Sequence, residues 1–368
     1  MMSEYPGKSV PTPSAPPPRK AQPAPERWWM PDAHRRRRPK LVARAAMIEA
    51  ARAFFRTGDF IEADTAILQI SPGNETHIGA FATRFQPQGG EGQPYYLHTS
   101  PEFAAKKLLA AGEERLFIFQ HVFRNGELDR LHHPEFLMLE WYRAGAPYDQ
   151  LMEDCTALMR SCVTAAGASE LRHRGRNADP FAEPERISVC AAFHAYAGID
   201  LEPLLPGGPE TRDLFAEKVR ALGLRVSDDD NWSDLFSKVL SDRVEPRLGE
   251  GRATFLTDYP ACEAALARLK PDPRFAERFE LYACGVELAN GFGELTDPEE
   301  QRRRFEAAMA ERLRIYGETY PIDPDFLAAL AIMPQACGIA LGFDRLAMLA
   351  TDAREIAEVL WTPLAAMP

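Results

Sequence analysis

Residues 119–143 read FQHVFRNGELDRLHHPEFLMLEWYR, and the reading of this stretch decides the fold. It predicts a strand, a polar loop and a second strand. The first strand ends in Val122-Phe123-Arg124, and the loop from Asn125 to Pro134 holds Arg130, His132 and His133. The second strand, Glu135 to Arg143, alternates strictly, so successive side chains point to opposite faces. Phe136, Met138, Glu140 and Tyr142 share one face; Leu137, Leu139 and Trp141 share the other. The Leu/Leu/Trp face belongs in a core. A ring, a carboxylate and a phenol on the opposite face suit a pocket floor, and an exposed sheet edge is the competing reading for Glu140.

Outward from this stretch, 368 residues can bury a large core, as one domain with insertions or as two. Composition is that of a soluble globular protein apart from 31 prolines. No apolar run reaches the ~18 residues that would suggest a membrane span, and the N-terminus lacks the apolar region of a secretory signal. Cys155, Cys162, Cys190, Cys262, Cys284 and Cys337 are scattered without a Cys-x-x-Cys pair. That usage fits small core residues in a reducing cytoplasm better than a zinc site or disulfide framework.

Charge is unevenly divided. Residues 1–40 carry nine Lys/Arg against three Asp/Glu, leaving 34 against 51 for the remainder. An acidic body does not advertise a broad footprint for a nucleic-acid backbone, although one basic groove can coexist with it. Ten of the prolines lie in the first 40 residues with almost no aliphatic ones, so residues 1–40 are expected to be a disordered tail. Its RRRRPK run, 35–40, suits either an acidic partner or a solubilising linker.

Folding is expected to start at Leu41, with a helix to Gly58 and a strand over residues 60–65. Strands over 81–85 and 95–98 follow, separated by a Pro/Gly-rich loop. Thr99-Ser100-Pro101-Glu102 offers Ser as N-cap, Pro at the first helical position and an acid in the first turn of a helix ending at Gly112. Residues 148–163 read as an amphipathic helix. Residues 187–245 read as a mainly helical insertion without a chemical constellation of its own.

Residues 279–290, FELYACGVELAN, read as a hairpin turning at Cys284-Gly285. Opposed residues share a face, so Glu280, Tyr282 and Glu287 would project together. Converging carboxylates favour a divalent cation between them, and oxygen ligands suit Mg²⁺; a solvated hairpin face is the alternative. Near the C-terminus CGIALGFDRL, 337–346, reads as a small-residue strand running into a helix. Arg345 there would face an anion, and close strand packing explains the glycines equally well.

Jointly these segments resemble class II aminoacyl-tRNA synthetases, specifically lysyl-tRNA synthetase and its short paralogues. Residues 41–66 look like motif 1, the dimer element; FRNGELDRLHHPEFLMLEWY like motif 2; GIALGFDRLAML like motif 3. TSPE at 99–102 and RFELYACGVELANGFGEL at 278–295 match the lysine-specific subclass. The resemblance covers nearly all of residues 41–365. Among the paralogues it is closest to the ligases that attach (R)-beta-lysine to elongation factor P. Only ~40 residues precede the fold, too few for an anticodon-binding barrel. Ala340 stands where the tRNA enzyme has Gly, as in those ligases, and GVELANGFGEL and PEFLMLEWYR are worded most like theirs.

The resemblance implies an α+β fold, an antiparallel mixed sheet flanked by helices, spanning 41–368. It implies a two-step reaction: ATP converts the amino acid to an adenylate, and a lysine ε-amino group of elongation factor P takes the acyl group. Arg124 and Arg345 would be catalytic. Arg124 would bridge carboxylate and α-phosphate, and Phe136 and Arg345 would sandwich adenine. Asn125, Gly126, Glu127, His132, His133, Glu287, Leu288 and Gly342 would complete the ATP site. Glu280 and Glu287 would hold Mg²⁺. Glu140, Tyr142 and Glu294 would bind the side-chain ammonium, Ser100, Pro101 and Glu102 would face the other amino group, and Ala340 would shape the pocket around it. A cytoplasmic homodimer is implied, with no membrane and no tRNA.

Four positions depart from the family pattern. Ala66 replaces the Pro that usually ends motif 1, Gly126-Glu127 alters the adenine-contact register, His133 replaces Asn, and Gly293 replaces His or Ser. None removes a phosphate or lysine ligand. The competing readings are a lysyl-tRNA synthetase-like enzyme using L-lysine with tRNA or another acceptor, and a lapsed synthetase core with a regulatory role. Arg124 and Arg345, the phosphate-binding arginines, stand against the second.

Overall fold

The computed structural model describes residues 27–364. Its centre is an eight-stranded mixed sheet. In chain order the strands are β1 (Ile61–Glu62), β2 (Arg115–Phe123), β3 (Glu135–Ala144), β4 (Glu185–Ser188), β5 (Thr254–Pro260), β6 (Phe275–Ala283), β7 (Val286–Gly293) and β8 (Ala336–Gly342). Across the sheet they lie in the order β1-β2-β3-β8-β7-β6-β5-β4. The outermost pairs, β1–β2 and β5–β4, are parallel, and the pairs between them are antiparallel.

The alternation of residues 135–143 sorts the two faces as expected. Leu137, Leu139 and Trp141 enter the main core with Ile339, Leu341, Phe279 and Leu281 of neighbouring strands. Helices α1 (Pro31–Thr57), α2 (Glu102–Ala110), α3 (Asp149–Ala165), α4 (Pro298–Tyr316) and α5 (Phe343–Ala350) flank the sheet. Phe55 of α1 and Leu158 of α3 cover the apolar face, where Phe55 stacks on Phe117 with centroids 4.7 Å apart. On the opposite face α2 and α4 pack by Phe103 and Phe305 around Leu116, Ile118 and Tyr142. Residues 189–247 build a separate cluster around Phe193, Phe215, Trp232 and Phe236, docked on Tyr259 and Tyr282 at the β5–β6 end.

Three elements differ from expectation. The first helix begins at Pro31 rather than Leu41, with Pro at its start and Asp32 in its first turn. Residues 31–40 of the expected tail are therefore helical, held by Lys40 on Glu358 and Arg37 on the Leu360 carbonyl. Residues 27–30 lead into the helix, and residues 1–26 of the expected tail lie outside the described residues. Of the strand expected over 60–65 only Ile61–Glu62 pairs. The helix expected from Pro101 starts at Glu102, with Pro101 in the cap position.

Among the described residues no helix is long and apolar enough to cross a membrane.

Candidate active site

A cavity of about 820 Å³ lies on the polar face of the central strands. Strand register explains why polar side chains meet there. Glu140 of β3 stands opposite Ala340 of β8, Ala340 opposite Asn290 of β7, and Asn290 opposite Glu280 of β6. Directly opposed residues share a face, so one row across four strands carries an acid, a methyl, an amide and a second acid. The next row sets Tyr142 opposite Gly338 and Gly338 opposite Phe292. A Cβ at Gly338 would overlap both Glu294 Oε1 and the Tyr142 ring, so only glycine lets that acid and that phenol converge.

Behind the part of the cavity lined by Ser100 and Glu102, buried acids gather beside one buried amine. Glu140 and Lys106 are fully buried and Glu294 is 1% exposed. Glu140 accepts from Ser100 Oγ at 2.6 Å and from the Tyr142 hydroxyl at 2.7 Å. The Lys106 ammonium lies 2.5 Å from Glu102 and 2.6 Å from Glu294. The second contact is close but poorly directed, and Glu294 Oε2 accepts no well-aligned hydrogen bond. Lys106 thus serves Glu102 and Glu294, while Glu140 has hydroxyl donors and no cation. Burial, then the charge of Glu102, pushes the Glu140 carboxyl up to about 8. Burial likewise raises Glu294 to about 7, although Lys106 pulls it down. Such a site gains from receiving another cation.

The other end is built for an anion. Arg124, just beyond β2, lies over the Phe136 ring at 5.4 Å, and its buried Nε has no hydrogen-bond partner. Arg345 opens α5, where its guanidinium contacts His132 Nε2 at 2.6 Å and the Glu287 carbonyl at 3.0 Å. His132 is set by Asp129, 2.9 Å from its Nδ1. The fully buried Asp344 accepts from Arg44 Nε at 2.6 Å and from the Leu137 N–H at 2.7 Å. It therefore fixes the strand bearing Phe136 against the helix bearing Arg345.

Between these ends the β6–β7 hairpin carries the acids. Cys284 and Gly285 both have positive φ, 55° and 73°, and form the two-residue turn expected. Ala283 pairs with Val286 and Tyr282 with Glu287, after which a bulge at Leu281/Tyr282 moves Glu280 opposite Asn290. Glu280 accepts from Tyr282 at 2.6 Å and from Arg278 at 2.7 Å. Glu280 and Glu287 both line the cavity. Glu245, from the insertion, stands 3.4 Å from the Tyr282 hydroxyl, and burial followed by the Glu280 charge pushes it up to about 7. Among the described residues no set of three His, Cys, Asp or Glu is placed to hold a metal, so the hairpin offers a pair of carboxylates.

The remaining expected residues divide. Ser100, Glu102, Glu127, Leu288, Ala340 and Gly342 line the cavity, while Asn125, Gly126 and Pro101 do not. Asn125 instead donates its N–H to the Gly79 carbonyl at 2.8 Å. His133 touches the cavity, but both ring nitrogens face main-chain groups, the Glu135 carbonyl at 2.5 Å and the Leu364 N–H at 3.0 Å. It presents a ring edge rather than a free nitrogen. Lys106, Asn290, Glu245 and Gly338 were not singled out from sequence. Lys106 alone had a local signal, its i,i+4 spacing from Glu102.

The model of class II tRNA synthetases (D, K and N) matches residues 26–365. An elongation factor P–(R)-beta-lysine ligase of Haemophilus influenzae (strain PittGG) is 37% identical over 335 residues, 90% of this chain and 96% of that protein. The ligase of the same name from Vibrio cholerae is 37% identical over 342 residues, 91% of this chain and 97% of that one.

The chain belongs to the elongation factor P–(R)-beta-lysine ligase family, within the class II synthetases. Membership carries the α+β class II catalytic fold, ligase chemistry and ATP as the energy source. Arg124, Arg345, Ser100, Glu102, Glu280 and Glu287 line one cavity, whereas Glu140, Tyr142 and Glu294 are not among its lining residues and reach it through Ser100 and Glu102.

Proposed function

We propose that the chain activates (R)-beta-lysine with ATP as an aminoacyl-adenylate and transfers it to the ε-amino group of a lysine on elongation factor P. The observation that carries this reading is the buried cluster of Glu140, Glu294 and Tyr142, short of one cation and lying behind Ser100 and Glu102 of the cavity that Arg124 also lines. A long diamino acid would set its distal ammonium among those acids and its carboxylate against Arg124, whose planar fork suits carboxylate and α-phosphate alike. Ser100 and Glu102 would face the second amino group, and Ala340 would shape the space around it. Phe136 and Arg345 would hold adenine between them, with His132 and Glu127 beside the nucleotide.

Glu280 and Glu287 would hold Mg²⁺, which takes one or two protein carboxylates plus phosphate oxygens and would neutralise phosphate charge. The chain's own contribution is positioning and charge complementarity, without a covalent enzyme intermediate. Homodimerisation through α1 and the edge strand β1 belongs to the same proposal; Val42 and Ile61 there are exposed apolar residues. So does a cytoplasmic setting, in keeping with six unpaired cysteines.

Purified protein is expected to support pyrophosphate exchange with (R)-beta-lysine far better than with L-lysine, and to add one lysyl mass to elongation factor P. Charging of tRNA-Lys with no mass change on elongation factor P would overturn the proposal. The pocket also sets a pH dependence. With its carboxyl near 8, Glu140 is mostly neutral at pH 7 in the free protein, whereas an ammonium ligand favours the ionised form. KM for the amino acid should therefore fall about fivefold between pH 7 and pH 8. A flat profile, or one unchanged in Glu140→Gln, would remove Glu140 from the ammonium site.

A further inference from the structure

The wall formed by residues 71–80, SPGNETHIGA, has no role in the reaction as derived above. It has no regular secondary structure, yet it is tied at both ends. The Pro72 carbonyl accepts from the N–H and Oγ of Thr99, at 3.2 and 2.7 Å. Arg312, 3% exposed, donates to the carbonyls of Thr76 and Ile78 at 2.9 and 3.1 Å. The Ala80 N–H donates to the Tyr320 hydroxyl at 2.8 Å. A loop so fixed holds its side chains in set places before any ligand arrives.

Glu75 stands at the middle of this loop and lines the cavity. Among the described residues it makes no hydrogen bond and no ion pair. Protein encloses it on the cavity wall, while its surface stays open to the cavity interior. That enclosure raises its carboxyl above the ordinary glutamate range, and of the charges that act on it Arg124 comes first, followed by Glu102. The carboxylate is thus within electrostatic reach of the residue that would take the substrate carboxylate and of the acid at the second amino group.

Charge balance gives it a purpose. Glu102 and Glu294 share the single ammonium of Lys106, so Glu102 is already neutralised at 2.5 Å. Arg124 is matched by the substrate carboxylate. A diamino acid brings a second ammonium close to that carboxylate, and Glu75 is an unpaired acid on the cavity wall; Glu127, also unpaired, is the one assigned above to the nucleotide. We propose that Glu75 binds this second amino group, so that the 71–80 loop selects diamino acids over monoamino acids of similar length. This inference rests on the function proposed above.

The test compares the wild-type protein with Glu75→Gln, an amide of the same shape at a position that makes no hydrogen bond. Pyrophosphate exchange gives KM for (R)-beta-lysine and for ATP, and competition gives the inhibition constant of 6-aminohexanoate, which lacks the second amino group. The variant should raise KM for the diamino acid about tenfold or more. The 6-aminohexanoate constant and KM for ATP should stay within about twofold, and Glu75→Asp should recover part of the loss. An unchanged KM for the diamino acid overturns the assignment. So does a rise shared equally by 6-aminohexanoate or ATP, which would mark a general disturbance of the loop. A wild-type protein inactive with every diamino acid overturns the proposed function and this inference with it; an active wild type with an indifferent variant overturns this inference alone.

Discussion

Arg124→Ala is expected to lower kcat/KM for adenylate formation by about 10²–10³-fold, the usual cost of removing one preorganised group that faces developing charge. The expectation follows from what Arg124 lacks. Phe136 lies 5.4 Å from its guanidinium carbon, and its buried Nε finds no acceptor in the chain. Arg345, by contrast, is already engaged by His132 and Glu287. Arg124 therefore keeps hydrogen-bonding capacity for a ligand's carboxylate and phosphate, whereas Arg278, which also lines the cavity, is bound to Glu280 and the Glu263 carbonyl. Arg124→Lys should recover little, because an ammonium on a flexible stem cannot bridge two anions as a planar fork does. Pyrophosphate exchange at amino-acid concentrations well below KM reads the effect. Activity within tenfold of wild type would displace Arg124 from the reacting centre.

How much of this was legible beforehand depended on whether the determining contacts were local. Period-two alternation over residues 135–143 fixed both faces of β3, because one face meets a core where Leu139 and Trp141 are wholly buried. The Cys284-Gly285 turn was equally plain, but the bulge after it was not. Its extra residue, Leu288, is 2% exposed in the main core, and that packing is a property of the assembled sheet. The early start of α1 was hidden for a similar reason. Residues 31–40 carry four consecutive arginines and Pro39, and what orders them is residues 358–360, more than 300 positions away.

Within the site, residue types alone suggested the hairpin acids and the odd face of β3, while assignment of roles came from the resemblance. Neither indicated that Lys106 is fully buried between two acids, Glu102 and Glu294. A lysine in AAKKLLAA reads as a solvated helix face, and only the depth of Glu294 on β7 makes it an internal counter-ion. The same depth exposes a tension in the pocket. Lys106 pairs with Glu102 and Glu294 but leaves Glu140 without a cation, so the cluster keeps room for the positive charge that the proposed substrate would bring.

Glu294→Gln tests that vacancy and carries the largest expected loss of amino-acid affinity. Glu294 follows directly after β7, where its N–H donates to the Ala336 carbonyl at 2.9 Å. Removing one acid from a buried cation site costs about 3–5 kcal/mol, which predicts a rise in KM for the amino acid from about a hundredfold to several thousandfold. KM for ATP should hardly move, since the nucleotide end is set by Phe136, Arg345 and Asp344. Stability of the ligand-free protein separates lost affinity from lost fold. A carboxyl raised to about 7 means the native state holds a proton that the unfolded chain releases near 4.5. Its stabilising contribution is therefore present at pH 4–5 and lost as pH rises through 7. The Gln variant lacks that titration, so its melting temperature should fall less than that of wild type between pH 5 and pH 8. A variant that melts normally yet binds the amino acid with unchanged KM would place the ammonium elsewhere in the cavity, and the acids beneath β3 and β7 would then serve only Lys106.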